Sequence, residues 1–152
     1  MKPRLNPYKA APEAIKALTL LEGFTQASGL DRGLLDLVKT RASQINGCAY
    51  CVHMHTREAR AHGESEERLY MLSAWQESPL FSERERAALA WTEAVTLVST
   101  SHVPDDVYDM AREHFCQEEL VNLTVAISAI NAWNRIGISF RAVHPVSQTA
   151  AA

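Results

Sequence analysis

Apolar residues recur along this chain at the three- and four-residue spacing that is typical of amphipathic α-helices. Alternating apolar and polar runs bounded by turn dipeptides, which would indicate strands, are missing. The spacing predicts seven helical segments, beginning near positions 12, 32, 48, 65, 83, 104 and 117, of which the last is the most apolar. We therefore expect an all-α, single-domain helical bundle of about six to seven helices. It would span residues 1–152, with an N-terminal arm over 1–10 and a disordered tail over 145–152.

The pair Asn46-Gly47 interrupts the helical pattern between the second and third segments. Because this pair readily adopts positive φ, it is suited to end one helix and direct the chain into the next. Cys48 is then expected in the first turn of the third helix. Ser82 and Glu85 have the spacing of a capping box, which predicts that another helix begins at residue 83.

Composition limits the classes of partner. The chain has a net charge of -3 and 7% aromatic residues, and its lysines and arginines are dispersed, so nucleic-acid binding is not expected. No apolar run approaches the roughly 18 residues of a membrane span, and the N-terminus lacks the apolar stretch of a secretory signal. A cytoplasmic location is therefore expected. In that compartment a close cysteine pair is more often catalytic or metal-binding than structural.

The chemistry is concentrated in the third helical segment, where Cys48, Cys51 and His55 fall within a sector of roughly 60° on a helix. Two thiols and an imidazole on one face are typical of a dithiol redox centre. The thiolate is the reactive form, and a helix N-terminus stabilises its negative charge. Asp36, on the preceding helix, is a candidate to orient His55. A zinc site that uses Cys48, Cys51 and His55 is the main alternative, but no fourth ligand is evident in the sequence.

The stretch from Asp36 to Cys51, followed by His55, resembles the carboxymuconolactone decarboxylase superfamily, and within it the alkylhydroperoxidase D-like branch, which has the cysteine pair. The resemblance covers most of the chain. It continues through Gly63, Glu66, Arg68-Leu69, Ala74-Trp75, residues 82–96 and residues 131–135.

The resemblance implies an all-α fold that assembles as a homotrimer or homohexamer, with dithiol peroxidase activity toward organic hydroperoxides. It makes Cys51 the peroxidatic thiol, Cys48 the resolving thiol and His55 part of a proton relay. The resemblance also puts Asp36 in the proton relay, at the position of the relay carboxylate that is usually Glu in the family, and Tyr50 stands where the best-known members have His. The implied electron donor is a dithiol, in the best-known members a dihydrolipoyl protein, and neither a cofactor nor a metal is implied.

Two questions stay open at this stage. The helix dipole favours Cys48 as the more acidic thiol, whereas the resemblance assigns the attack on peroxide to Cys51. The alternatives to a peroxidase are a redox-sensing or zinc-binding module without turnover, and a decarboxylase-like enzyme that shares only the fold.

Overall fold

The computed structural model describes residues 2–146, and over this range the chain forms α-helices and no strands. Nine α-helices are present in the described range, together with a 3₁₀ segment over Leu72–Glu77. The helices are α1 (Pro7–Ala10), α2 (Pro12–Gln26), α3 (Arg32–Asn46), α4 (Ala49–Ala61), α5 (Glu66–Met71), α6 (Glu83–Thr96), α7 (Val98–Ser101), α8 (Asp105–His114) and α9 (Gln117–Phe140).

The all-α prediction is confirmed, but the expected number of helices was too low. The excess comes from two single-turn helices, α1 and α7, which are too short to show a hydrophobic period. Helix α1 lies inside the N-terminal arm, where the side chain of Asn6 accepts hydrogen bonds from the backbone N–H groups of Tyr8 and Lys9. The predicted tail over 145–152 lies outside the described residues, except for positions 145 and 146, which are not helical.

The predicted fourth helix is divided in the structure, because Ala74 leaves helical geometry with φ of -122°. Helix α5 ends at Met71, and the chain continues as the 3₁₀ segment. The guanidinium of Arg86 donates hydrogen bonds to the backbone carbonyls of Trp75, Gln76 and Ser78, at the end of this segment.

Helix α3 is the centre of the packing and lies against α4, α6 and α9. Its residues Leu37 and Val38 have no solvent exposure, and α9 contributes the equally buried Leu123 and Ile127. Burial of such side chains supplies most of the stability of an amphipathic helix. Within residues 2–146, none of the helices combines the length and the apolar character that crossing a bilayer requires.

Candidate active site

The turn between α3 and α4 positions the cysteines. Gly47 has φ of 69°, a left-handed conformation that favours glycine, and it ends α3 as expected. The N–H of Cys48 donates to the carbonyl of Ser43 at 3.0 Å, and Cys48 occupies the N-cap position of α4. Cys51 therefore lies in the first turn of a 13-residue helix, where the helix dipole stabilises a thiolate.

Cys48 and Cys51 form a disulfide, with their Cα atoms 5.3 Å apart. Both side chains are buried, at 2% and 3% exposure. Their surroundings differ, since Cys51 lines a cavity and Cys48 is not among the lining residues. A molecule that enters the cavity therefore meets Cys51 and not Cys48.

This cavity has a volume of about 660 Å³ and lies between α2, α4, α9 and the N-terminal segment. The segment is held against α9 by Arg4, whose backbone N–H donates to the carbonyl of Phe140 at 3.0 Å and whose guanidinium donates to that of Ser139 at 2.9 Å. Trp133 of α9 is only partly buried and lines the cavity. The volume is in the range of small-molecule sites in proteins.

Helix α9 passes directly over the disulfide at Gly137. A Cβ atom at this position would lie 3.2 Å from Sγ of Cys48 and 3.6 Å from Sγ of Cys51. Glycine thus permits a close approach between helix and disulfide. No local sequence signal marks Gly137, since its partners lie more than 80 residues earlier in the chain.

His55 lies one helical turn after Cys51 and is buried, at 4% exposure. Its Nδ1 is 2.9 Å from Oε2 of Glu58. Because an ionised carboxylate only accepts hydrogen bonds, a neutral imidazole donates through Nδ1–H and keeps the lone pair of Nε2 available. Within residues 2–146, this Nε2 is the only buried side-chain nitrogen or oxygen without a hydrogen-bond partner.

Glu58 is a site residue that the sequence analysis missed. Its hydrogen bond with His55 lowers the pKa of the Glu58 carboxyl, partial burial opposes this shift, and the positive charges of His55, Lys39 and His62 add to the lowering. The carboxyl is therefore ionised at neutral pH and holds the imidazole in one orientation. Its spacing of three residues from His55 was the sequence signal that could have identified it.

Asp36 is not hydrogen-bonded to His55, contrary to the sequence-based expectation that it orients this imidazole. Its Oδ2 lies 2.6 Å from Nδ1 of His62, at the C-cap of α4. His55 and His62 are seven residues apart on α4, which is roughly 10 Å along the helix, so the Asp36 carboxylate reaches one of them and not both. Its short side chain bonds instead with His62, and Glu58 occupies the position beside His55.

The cavity wall opposite α4 carries a second carboxylate, Glu22 of α2. The ammonium of Lys39, a buried residue on α3, forms an ion pair with Glu22. Across the described residues, no group of three or more His, Cys, Asp or Glu side chains is arranged to hold a metal ion. The three potential zinc ligands of the sequence analysis have other partners here, because the two cysteines are joined to each other and His55 is bonded to Glu58.

Residues 11–94 match the model of the carboxymuconolactone decarboxylase family. The chain belongs to this family, and within it to the alkylhydroperoxidase D-like branch. It is 44% identical over 139 residues to the uncharacterized protein YdfG of Bacillus subtilis strain 168, which covers 91% of this chain and 95% of that protein.

Solved structures share this fold. ATU0492 of Agrobacterium tumefaciens, a protein of unknown function described as a candidate antioxidant defence protein AhpD, is 51% identical, with a TM-score of 0.94 over 96% of this chain and 100% of that one. The debrominase Bmp8 is 21% identical, with a TM-score of 0.81 over 91% of this chain and 75% of that one. At this low identity the likeness to Bmp8 concerns the fold alone.

Proposed function

We propose that the protein is a thiol-dependent peroxidase that reduces organic hydroperoxides through a Cys48–Cys51 dithiol and disulfide cycle. The observation that carries the proposal is the position of Cys51, which borders a cavity while it is bonded to Cys48 and lies one turn from His55. Membership of a branch that has paired cysteines supports the proposal. The family also includes proteins with other activities, so the geometry of the site carries the argument.

The first step oxidises Cys51. Its thiolate attacks the terminal oxygen of the hydroperoxide, the O–O bond breaks, and the products are a sulfenic acid on Cys51 and an alkoxide. The alkoxide takes a proton and leaves as the alcohol. His55 can take the thiol proton at Nε2 and return it to the alkoxide, with Glu58 as the positioning residue that keeps Nδ1 protonated.

The second step resolves the sulfenic acid. The Cys48 thiolate attacks Sγ of Cys51, an S–S bond forms, and hydroxide leaves and takes a proton to become water. A dithiol donor such as a dihydrolipoyl protein then reduces the disulfide by two exchange reactions and is itself oxidised to a disulfide. The lining of the cavity supports this order of attack, because it includes Cys51 and not Cys48.

Assembly into a homotrimer or homohexamer is a second part of the proposal. Helix α2 exposes Leu20 and Phe24, at 68% and 52% of their surfaces, and exposed apolar side chains on one helix are typical of a contact surface. Light scattering at micromolar concentration measures the oligomer directly. A monomer would contradict this part without affecting the chemistry of the site.

The test of the activity is a thiol count before and after one equivalent of cumene hydroperoxide, with mass mapping of the disulfide. We expect two thiols to be lost per chain and a Cys48–Cys51 bond to form. Cys48→Ser and Cys51→Ser should abolish turnover with dithiothreitol. Cys116→Ser is the matched control, since Cys116 is an exposed free cysteine away from the site, and it should retain full activity.

Two results would contradict the proposal. If both active-site serine variants keep full peroxide reduction, the cysteine pair is not the catalytic centre. If the disulfide forms once but dithiothreitol does not restore reactivity toward peroxide, the protein is a redox sensor without turnover.

A further inference from the structure

The cavity beside Cys51 has mainly apolar walls. Aliphatic and aromatic side chains come from the N-terminal segment, from α4 and from the last turns of α9. The principal apolar residues are Leu5, Tyr50, Met54, Trp133, Ile136 and Phe140. Such walls bind the hydrocarbon part of an organic molecule through burial of apolar surface.

The titratable groups that line the cavity are two carboxylates, Glu22 and Glu58, and one imidazole, His55. The imidazole is already hydrogen-bonded to Glu58. Among the lining residues in the described part of the chain, none is a lysine or an arginine. Lys39 is buried and already paired with Glu22, and its positive charge also acts on Glu58.

An anionic substrate would therefore lose water without gaining a cationic partner. Transfer of an unpaired carboxylate from water to a buried site is costly, and nearby negative charges increase the cost. Tyr8 and Tyr50 add hydroxyl groups to the lining but no positive charge. An uncharged hydroperoxide avoids this cost and retains the apolar contacts.

We infer that the cavity selects uncharged, apolar organic hydroperoxides and discriminates against hydroperoxides that carry a carboxylate. The inference rests on the proposed peroxidase function, because it assigns the substrate class of the same site. It concerns the walls and charges of the cavity, whereas the peroxidase proposal concerns the two sulfurs, so the two are separable by experiment.

The primary experiment compares cumene hydroperoxide with its para-carboxylate analogue, using dithiothreitol as reductant. We expect kcat/KM to be at least about tenfold higher for the neutral compound, which corresponds to roughly 1.4 kcal/mol. Hydrogen peroxide is the reference for intrinsic thiol reactivity, since it is too small to contact the apolar walls. Equal rates for the two organic peroxides, or a faster rate for the carboxylate, would overturn the inference and leave the peroxidase proposal intact.

The Glu22–Lys39 pair provides two variants with opposite expected effects. Glu22→Gln leaves the Lys39 ammonium without its anion, so the preference for the neutral substrate should shrink or reverse. Lys39→Met leaves Glu22 without its cation, so the preference should grow. Opposite shifts in the ratio of two substrates cannot come from a general loss of folded protein. Shifts in the same direction would overturn the role assigned to this pair.

Binding to the disulfide form tests the substrate class even without turnover. Isothermal titration with 2-phenyl-2-propanol, the alcohol product from cumene hydroperoxide, should show tighter binding than titration with its para-carboxylate analogue. If neither peroxide is reduced but the neutral alcohol binds better, the peroxidase proposal fails and the selectivity of the cavity stands. If the carboxylate alcohol binds as well or better, the selectivity is wrong.

Discussion

An asparagine cluster (Asn46, Asn131 and Asn134) and the imidazole of His55 lie on either side of the α3–α4 turn. They differ in how completely they are hydrogen-bonded. On one side, the side chain of Asn46 donates to Oδ1 of Asn131 at 2.9 Å and to Oδ1 of Asn134 at 2.8 Å. Asn134 in turn donates to Oγ of Ser43 at 3.1 Å. On the other side, His55 has one ring nitrogen bonded to Glu58 and the other without a partner.

The asparagine cluster joins α3 to α9, and its satisfied donors and acceptors stabilise one arrangement of the helices. An unpartnered buried nitrogen costs stability, typically about 1–3 kcal/mol, and the Nε2 of His55 lies beside a cysteine pair and a cavity. Under the proposed function the asparagine cluster is structural and His55 is reactive. The following predictions test this division, in order of decreasing effect.

His55→Leu should have the largest effect, and it should fall on activity. Loss of a general base and acid lowers turnover by roughly 10²- to 10⁴-fold. The free energy of unfolding should change little, because the substitution removes an unpartnered nitrogen and one hydrogen bond to a half-exposed carboxylate. Peroxide consumption and chemical denaturation of the same samples measure both quantities. A variant that is strongly destabilised but fully active per folded chain would show that His55 has a structural role and not a catalytic one.

Glu58→Gln should lower peroxide turnover by less, roughly 10- to 100-fold, the range seen for carboxylates that orient a ligand imidazole in other proteins. The amide no longer stabilises a positive charge on His55. Asp36→Asn is the matched control, since Asp36 bonds with His62 and not with His55, and it should have the smaller effect on kcat. Should Asp36→Asn prove the more damaging, the relay would run through Asp36, as the family resemblance implies.

Asn134→Leu should lower the free energy of unfolding and leave turnover nearly unchanged, which is the opposite of the effect expected for His55→Leu. The substitution leaves polar groups of Asn46 and Ser43 with one partner fewer, at a cost of about 1–3 kcal/mol in the free energy of unfolding. Turnover per folded molecule should change little. Urea denaturation gives the stability, and a loss of activity that exceeds the loss of folded protein would show that the asparagine cluster also acts on the site.

Gly137→Ala and Gly23→Ala form a pair of helical glycine substitutions with different surroundings. A Cβ at position 23 has nothing within 4 Å, so Gly23→Ala should stabilise α2 by about 0.5–1 kcal/mol. At position 137 the same atom crowds the disulfide, so the gain should be absent and re-formation of the disulfide should slow. Equal stabilisation by the two substitutions would show that the helix over the disulfide moves freely.

The smallest effect expected is on the pH dependence of stability. The pKa of Glu58 is lower in the folded chain than its ordinary value of 4.5, so the ionised carboxylate stabilises the folded chain. This stabilisation is fully present above pH 4.5 and is lost as the pH falls through the lower folded pKa. The difference in stability between Glu58→Gln and the parent chain should therefore become smaller below pH 4.5. Thermal unfolding at a series of pH values measures this difference. A difference that widens toward acid pH would contradict the sign of this shift.

The amino-acid sequence by itself determined the local features. Helix ends follow from neighbouring residues, as at Gly47, whose positive φ closes α3, and at Ser82 and Glu85, which form the predicted capping box. Placing Cys48, Cys51 and His55 together also needs only helical periodicity. The two single-turn helices were missed because four residues carry no periodic signal.

Tertiary structure decided which side chains surround the cysteines. It paired Asp36 with His62, left Glu58 beside His55, and brought Gly137 over the disulfide. These contacts depend on how helices are rotated and displaced against one another, and differences of a few ångströms select one carboxylate over another. A one-dimensional pattern specifies which face of a helix is apolar, but the partner of that face is settled only when distant segments pack together.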